Sequence, residues 1–146
     1  MPNLRPSAKG FASVTRKPRD YLLPVYVLDA DHNPVALDLA DPQHMAMWSA
    51  FMFDGESNRR VAWDRVTKGI AVSTVFIGID HGFAALLDNE VALPMVFETM
   101  VFDADADDDG NLCYLYATWA EAEIGHARVV AEIRERLKAV SDDSDG

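Results

Sequence analysis

IAVSTVFIGIDHGF at residues 70–83 and LPMVFETMVF at residues 93–102 are the two runs that decide the fold of this chain. Both are rich in β-branched and aromatic residues, and a polar connection that contains glycine separates them. This pattern predicts two neighbouring strands at the centre of a sheet. The other segments of the chain then cover or extend that pair.

The segment before this pair predicts a hairpin and a helix. Residues 21–38, YLLPVYVLDADHNPVALD, contain two short β-type runs around the turn residues 29–34. Asp41 and Pro42 then match the N-cap and the first position of a helix. Apolar residues recur along that helix at helical spacing, which favours a stripe that covers one face of a sheet. The stripe consists of Met45, Trp48, Phe51 and Met52.

Further strands flank the central pair, and a helix ends the chain. Residues 60–66 alternate between the two faces of a half-exposed strand, and residues 112–117 form a short strand rich in Tyr and Leu. Thr118 and Glu121 match a capping box, which marks the start of an amphipathic helix. The apolar stripe of this helix consists of Ala122, His126, Val129, Ile133, Leu137 and Val140.

These elements follow the order ββ-α-ββ-ββ-α, which indicates an α+β fold. We expect a mainly antiparallel sheet of about five to six strands covered by two helices. Residues 1–20, rich in Pro and basic side chains, are predicted to form a flexible arm. Residues 21–140 are predicted to form a single domain, and residues 141–146 a disordered acidic tail.

Composition restricts the class of protein. The chain has 146 residues, 49% of them apolar, which is enough for one domain with one core. No apolar run approaches the roughly 18 residues of a membrane helix, and the N-terminal residues do not resemble a secretory signal. The single cysteine, Cys113, cannot form an internal disulfide and fits a reducing compartment. We therefore expect a cytoplasmic protein without a membrane partner.

The formal net charge of −11 is distributed unevenly. Residues 1–19 contain five Lys or Arg and no acid, so residues 20–146 contain eight basic and 24 acidic side chains, a net charge of −16. Such a body repels nucleic acid, and we expect no direct nucleic-acid binding by the folded part. The charge fits either a domain that it keeps soluble, or a surface that imitates the phosphates of DNA and occupies a DNA-binding groove.

Glu98 is the one carboxylate within the central strands, and it is the first candidate for chemistry. Apolar neighbours on both faces of its strand would desolvate it and suit it to proton transfer. If Ile79 pairs with Met95, however, Glu98 lies opposite Phe76 and His81 lies roughly 17 Å further along. The alternatives to a catalytic role for Glu98 are an ion pair with an arginine such as Arg65, or a position at the edge of the sheet that faces water.

An enzyme would have to bring further groups to Glu98. Asp80 and His81 follow the preceding strand, and His126 lies on the packed stripe of the last helix. We consider a hydrolase or acid–base catalyst that uses Glu98 and His81, assisted by Asp80 or His126. The alternative for His126 is a semi-buried histidine that forms a hydrogen bond with a loop.

An aspartate-rich segment matches the start of a calcium-binding loop. The segment DADDDGNL at residues 105–112 reproduces the first eight positions of such a loop, but Tyr116 occupies the twelfth position, where a bidentate Glu belongs. The alternative is a solvated connection that prevents an edge from pairing with other chains. The candidate Ca²⁺ ligands are Asp105, Asp107, Asp109 and Asn111.

Three runs of this sequence resemble a group of small uncharacterised proteins encoded by bacteriophages and prophages. These runs are VSTVFIGIDH at residues 72–81, FETMVF at residues 97–102 and YATWAEAEIGH at residues 116–126. The resemblance covers roughly the C-terminal half of the chain and implies a context, not an activity. That context is a phage accessory protein that acts in the bacterial cytoplasm.

The sequence therefore favours an accessory protein that binds a host or phage protein, for example one that handles DNA or defends the host. The first alternative is the enzyme that uses Glu98 and His81, and the second is a binding module stabilised by Ca²⁺. An edge strand at Val25 also allows pairing with a second copy of the chain.

Overall fold

The computed structural model describes residues 25–55, 58–80, 93–106 and 112–144 of the chain. The strands are β1 (Val25–Leu28), β2 (Pro34–Leu37), β3 (Arg60–Arg65), β4 (Ile70–Phe76), β5 (Phe97–Asp103) and β6 (Cys113–Tyr116). The helices are α1 (Pro42–Phe53) and α2 (Trp119–Ser144). The α+β class and the order ββ-α-ββ-ββ-α, both predicted from the sequence, are confirmed.

Strands β3, β4, β5 and β6 form one antiparallel sheet in that order. The two runs that decide the fold are its central strands, β4 and β5. Glu98 of β5 lies opposite Val75, whereas the sequence predicted that it would lie opposite Phe76. The predicted pairing of Ile79 with Met95 is therefore wrong by one residue.

Gly78 separates the hairpin from this sheet. Its φ of 73° belongs to the left-handed region, which glycine adopts without steric cost and which interrupts a strand. Beyond it, Ile79 forms an isolated bridge with Val25 of β1, and the Tyr26 N–H donates a hydrogen bond to the Gly78 carbonyl at 2.8 Å. Strands β1 and β2 therefore form a separate two-stranded sheet, and the six strands do not form a single sheet.

The turn of the hairpin has the predicted Asp-rich geometry. The Asp29 carboxylate accepts hydrogen bonds from the backbone N–H groups of Asn33 at 2.8 Å and Asp31 at 2.9 Å. The hydrogen bond from Asn33 is the main reason that the pKa of Asp29 is lowered. His32, with a φ of 62°, stacks on the Trp119 ring at 3.9 Å and so connects the hairpin to the start of α2.

Helix α2 begins at the predicted capping box. The Thr118 hydroxyl accepts a hydrogen bond from the Glu121 N–H at 3.1 Å, and the Glu121 carboxylate accepts one from the Ala117 N–H at 3.2 Å. The helix buries one stripe against the inward face of the four-stranded sheet, including Val72 and Val101. The buried residues of α2 are Ala122, Gly125, His126, Val129 and Val130.

The C-terminal turns of α2 extend beyond this core. Leu137 and Val140, predicted members of the apolar stripe, are 36% and 67% exposed. The helix also continues to Ser144, four residues into the segment that the sequence predicted as a disordered tail. Within the described residues, neither helix is long and apolar enough to cross a membrane.

Helix α1 packs on the hairpin and not on the four-stranded sheet. Trp48 and Phe51 contact the cluster that β1 and β2 bury, and Phe51 also meets the Phe76 ring at the end of β4. Three members of the predicted stripe, Trp48, Phe51 and Met52, are half-buried, whereas Met45 is 45% exposed. The stripe packs on the hairpin and not, as predicted, on the face of a large sheet. Consequently α2 and the hairpin contact one face of the four-stranded sheet, and no described element covers the other face.

Candidate functional site

A chain of hydrogen bonds crosses the interior between α2 and the sheet. The His126 ring contacts the Asp64 carboxylate of β3 through Nε2 at 2.9 Å and the Thr74 hydroxyl of β4 through Nδ1 at 2.8 Å. The Thr74 hydroxyl lies 2.5 Å from that of Thr99, directly opposite on β5. Thr74 and Thr99 are fully buried, and His126 is 4% exposed.

Only one direction of these hydrogen bonds gives an acceptor to the ring N–H and to both hydroxyl groups. If His126 is neutral with its proton on Nε2, it donates to Asp64 and accepts from the Thr74 hydroxyl, which accepts in turn from Thr99. A proton on Nδ1 would reverse the hydroxyl bonds and leave the Thr99 hydroxyl hydrogen without a described acceptor. We therefore assign a proton to Nε2 of the His126 ring and the acceptor role to Nδ1.

This arrangement has the connectivity of a catalytic Asp–His–hydroxyl triad, but it lacks the access that catalysis requires. A nucleophilic hydroxyl must reach a substrate, whereas the Thr74 hydroxyl is fully buried and bonded to Thr99. Among these four hydrogen-bonded side chains, only Asp64 is open to solvent. Its side chain is 48% exposed at a shallow groove of about 360 Å³. The hydrogen bonds therefore position α2 on the sheet.

The charges of this groove do not select an ionic ligand. Its α2 wall carries Arg134, Glu135 and Lys138, and Asp64 lies on the opposite side. Two basic and two acidic groups balance, and Lys138 already lies 3.6 Å from Glu135. We assign no ligand to it.

Glu98, the predicted catalytic carboxylate, lies on the uncovered face of the sheet. Its Oε1 accepts a hydrogen bond from the Cys113 thiol at 2.8 Å. Burial, and then this bond and the charge of Glu98, raise the pKa of Cys113 to about 11. The thiol is thus protonated at neutral pH and is a weak nucleophile. The predicted alternative, an ion pair with Arg65, is absent among the described contacts, because Arg65 lies over the Trp63 ring.

Of the other predicted catalytic residues, the structure separates His126 from Glu98. His126 packs on the opposite face of the sheet, next to Thr74 and Thr99, and cannot assist Glu98. Asp80 is 1% exposed, and its carboxylate accepts a hydrogen bond from the Met95 N–H at 2.8 Å. His81 lies outside the described residues, so its role with Glu98 stays a prediction.

Most of the predicted calcium loop also lies outside the described residues. Asp107, Asp109 and Asn111 belong to that part, and Asp105 is exposed with its N–H bonded to the Asp103 carboxylate at 3.0 Å. Among the residues that the structure describes, no group of three His, Cys, Asp or Glu side chains could hold a metal ion. The Ca²⁺ site stays a prediction.

The uncovered face of the sheet is a first candidate for a contact surface. Trp63 is 43% exposed there and Phe102 is 48% exposed. Its charged side chains include both Glu98 and Arg65, so the charge of this face indicates no class of partner.

Helix α1 presents a more unusual surface. Its sequence, PQHMAMWSAFMF, contains no Asp, Glu, Lys or Arg, and a helix that is apolar on all sides is normally buried. In this protein no residue of α1 is buried, and Phe53 is 87% and Met47 53% exposed. We use the name outer α1 face for the exposed residues on the side away from the hairpin. They are Ala46, Met47, Ala50 and Phe53.

Acidic residues lie at both ends of α1. Residues 25–55, which form the hairpin and α1, contain five Asp and no Lys or Arg. Asp41 caps the N-terminus of α1 through a hydrogen bond from the Gln43 N–H at 2.8 Å, and Asp54 caps its C-terminus. Asp38 lies beside the same N-terminus, because its N–H donates to the His44 ring at 3.0 Å. Helix α1 is therefore an exposed apolar surface with an acidic side chain at each end.

Sequence reasoning missed both the interior hydrogen bonds and the outer α1 face. The outer face has a signal in the sequence: residues 20–58 include seven acids without a single Lys or Arg, and α1 within them has no charged side chain. Such a helix has no polar side to turn toward water. No protein-family model, curated protein or solved structure matches this chain.

Proposed function

We propose that this chain is an accessory protein of the phage type, which acts in the bacterial cytoplasm by binding a basic protein through the outer α1 face. The observation that carries the proposal is an uncharged, exposed helix within a segment that has five Asp and no Lys or Arg. An exposed apolar surface of this kind is characteristic of a protein contact.

The charge of the chain favours a particular class of partner. Residues 20–146 have a net charge of −16, which attracts basic surfaces over several ångströms and repels nucleic acid. Proteins that bind DNA or RNA carry clusters of Lys and Arg on one face. We therefore propose a host or phage protein that handles nucleic acid, whose basic surface this chain would occupy. The resemblance to small phage and prophage proteins supports the same context.

Affinity capture with photo-crosslinking tests this proposal. A crosslinking amino acid at Ala46, which is exposed on α1, should capture the same basic protein in repeated bacterial extracts. Capture should weaken strongly between about 50 and 300 mM salt, because exposed charges steer the contact. The variant Met47→Ser/Phe53→Ser should lose the captured protein.

Matched controls make the outcome specific. Trp63→Ser/Phe102→Ser also removes two exposed apolar side chains, but from the uncovered sheet face, and should leave capture unchanged. Loss of capture in this control alone would assign the contact to the sheet face and overturn the proposal. The absence of any crosslinked protein from Ala46 would overturn it as well.

A further inference from the structure

We infer that the occupant of the outer α1 face is a basic amphipathic helix of the partner protein. This inference rests on the proposed function and specifies the segment that is recognised. The backbone of α1 is hydrogen-bonded within the helix, so α1 offers no free edge to an added strand. What it offers is a side-chain surface, which another helix can complement.

The shape of the outer α1 face suits helix packing. Ala46 and Ala50 are small, exposed and one helical turn apart, and the larger side chains of Met47 and Phe53 are exposed beside them. Side-chain ridges of one helix fit the grooves of another at an axis distance of about 8–10 Å. Methionine side chains adapt to neighbours of different shape, so Met47 can accommodate more than one apolar residue of the partner.

The charges at the two ends of α1 set the spacing of the partner's basic residues. Asp41 and Asp54 cap a helix of 12 residues, which is about 18 Å long. The last turn of α1 has no basic residue, and the Asp54 carboxylate accepts a hydrogen bond from the uncharged side-chain amide of Asn58 at 2.9 Å. A partner helix with Lys or Arg about 12 residues apart, on either side of an apolar stripe, would complement both ends.

The N-terminal segment of the chain is a competing occupant, because residues 1–20 are also basic. This segment contains Pro2, Pro6 and Pro18 as well as Gly10. Proline and glycine have low helix propensity, so the sequence of this segment does not predict the several helical turns that would complement α1. We therefore assign the outer α1 face to a helix from another protein.

Peptide probes test the inference. The first is an 18-residue peptide of Leu and Lys with one apolar and one basic face when helical, and the second has the same composition in an order without an apolar face. Fluorescence anisotropy should give a Kd at least tenfold lower for the first peptide. Met47→Ser/Phe53→Ser should raise that Kd at least tenfold, and Asp54→Asn severalfold, whereas Trp63→Ser should leave it unchanged.

Equal binding of the two peptides, or binding that the α1 variants leave unchanged, would overturn the inference. The full-length variant Arg16→Ser/Lys17→Ser/Arg19→Ser examines the competing occupant: a rise of tenfold or more in peptide affinity would assign the face to residues 1–20. Crosslinking from Ala46 to a basic partner would still stand after a negative peptide result. The inference and the proposed function can therefore fail separately.

Discussion

Replacing Thr74 by valine should destabilise the protein much more than replacing Thr99 by valine. The two side chains are fully buried and lie directly opposite each other, and valine keeps the shape of threonine while it removes the hydroxyl. With the bond direction assigned above, Thr74→Val leaves His126 Nδ1 without a donor and the Thr99 hydroxyl hydrogen without an acceptor. Thr99→Val leaves only one lone pair of Thr74 without a donor.

The magnitudes follow from the number of buried groups that lose their partners. Each such group costs about 1–3 kcal/mol, so Thr74→Val should lower the free energy of unfolding by about 3 kcal/mol and Thr99→Val by less than about 1 kcal/mol. The double variant has no Thr99 hydroxyl to leave unpaired. It should therefore be more stable than Thr74→Val alone by about 1–2 kcal/mol.

Urea denaturation followed by circular dichroism measures these differences, provided that the m-value is the same in all variants. A Thr99→Val variant as unstable as Thr74→Val would refute the assigned direction of the hydrogen bonds. A double variant whose destabilisation equals the sum of the single ones would show that the two hydroxyls do not depend on each other.

Three further predictions concern single sites. Hydrogen bonds from turn N–H groups lower the pKa of Asp29 in the folded protein. The ionised Asp29 carboxylate therefore stabilises the fold at pH values above its unfolded pKa, and this stabilisation is lost as the pH falls through the folded pKa. An NMR titration should show a pKa for Asp29 below the ordinary 3.8. Cys113, with a pKa of about 11, should react with iodoacetamide at pH 8 about a hundredfold more slowly than an ordinary thiol, and Glu98→Gln should accelerate the reaction. Gly125→Ala should destabilise the protein by about 1–3 kcal/mol, because the added Cβ would collide with the Tyr116 ring. Thermal denaturation measures this loss, which is opposite in sign to the usual preference of a helix for alanine over glycine.

Local signals in the sequence predicted the local structure correctly. The Asp-rich turn, the N-cap Asp41 and the capping box of Thr118 and Glu121 depend on residues within a few positions of each other. Each signal therefore needs no knowledge of the rest of the fold. The alternation along β4 and β5 likewise identified the central strands.

The interior hydrogen bonds could not be predicted from such signals. The contact between Thr74 and Thr99 depends on a register that the connection between β4 and β5 does not determine, and the pairing expected from the sequence is wrong by one residue. His126 was expected to bond a loop, whereas it bonds side chains of two strands. Thr74 and Asp64 lie 52 and 62 residues from His126 in the sequence, so no pattern of neighbouring residues indicates these contacts.

The position of α1 illustrates a different limit. The spacing of Trp48, Phe51 and Met52 identified the inward side of the helix, but this spacing is the same whether the helix packs on a hairpin or on a large sheet. Only the absence of charge on the outer side distinguishes α1 from an ordinary surface helix. That absence is what the proposed contact explains.

The methyl NMR signals of the methionines give the most direct test of the central claim, that the outer α1 face is the contact surface. Among the six methionines, Met47 lies on the outer α1 face and Met100 on the uncovered face of the sheet. Titration with the captured partner, or with the amphipathic Leu and Lys peptide, should shift and broaden the Met47 signal and leave Met100 unchanged. Perturbation of Met100 with an unchanged Met47 signal would contradict the claim.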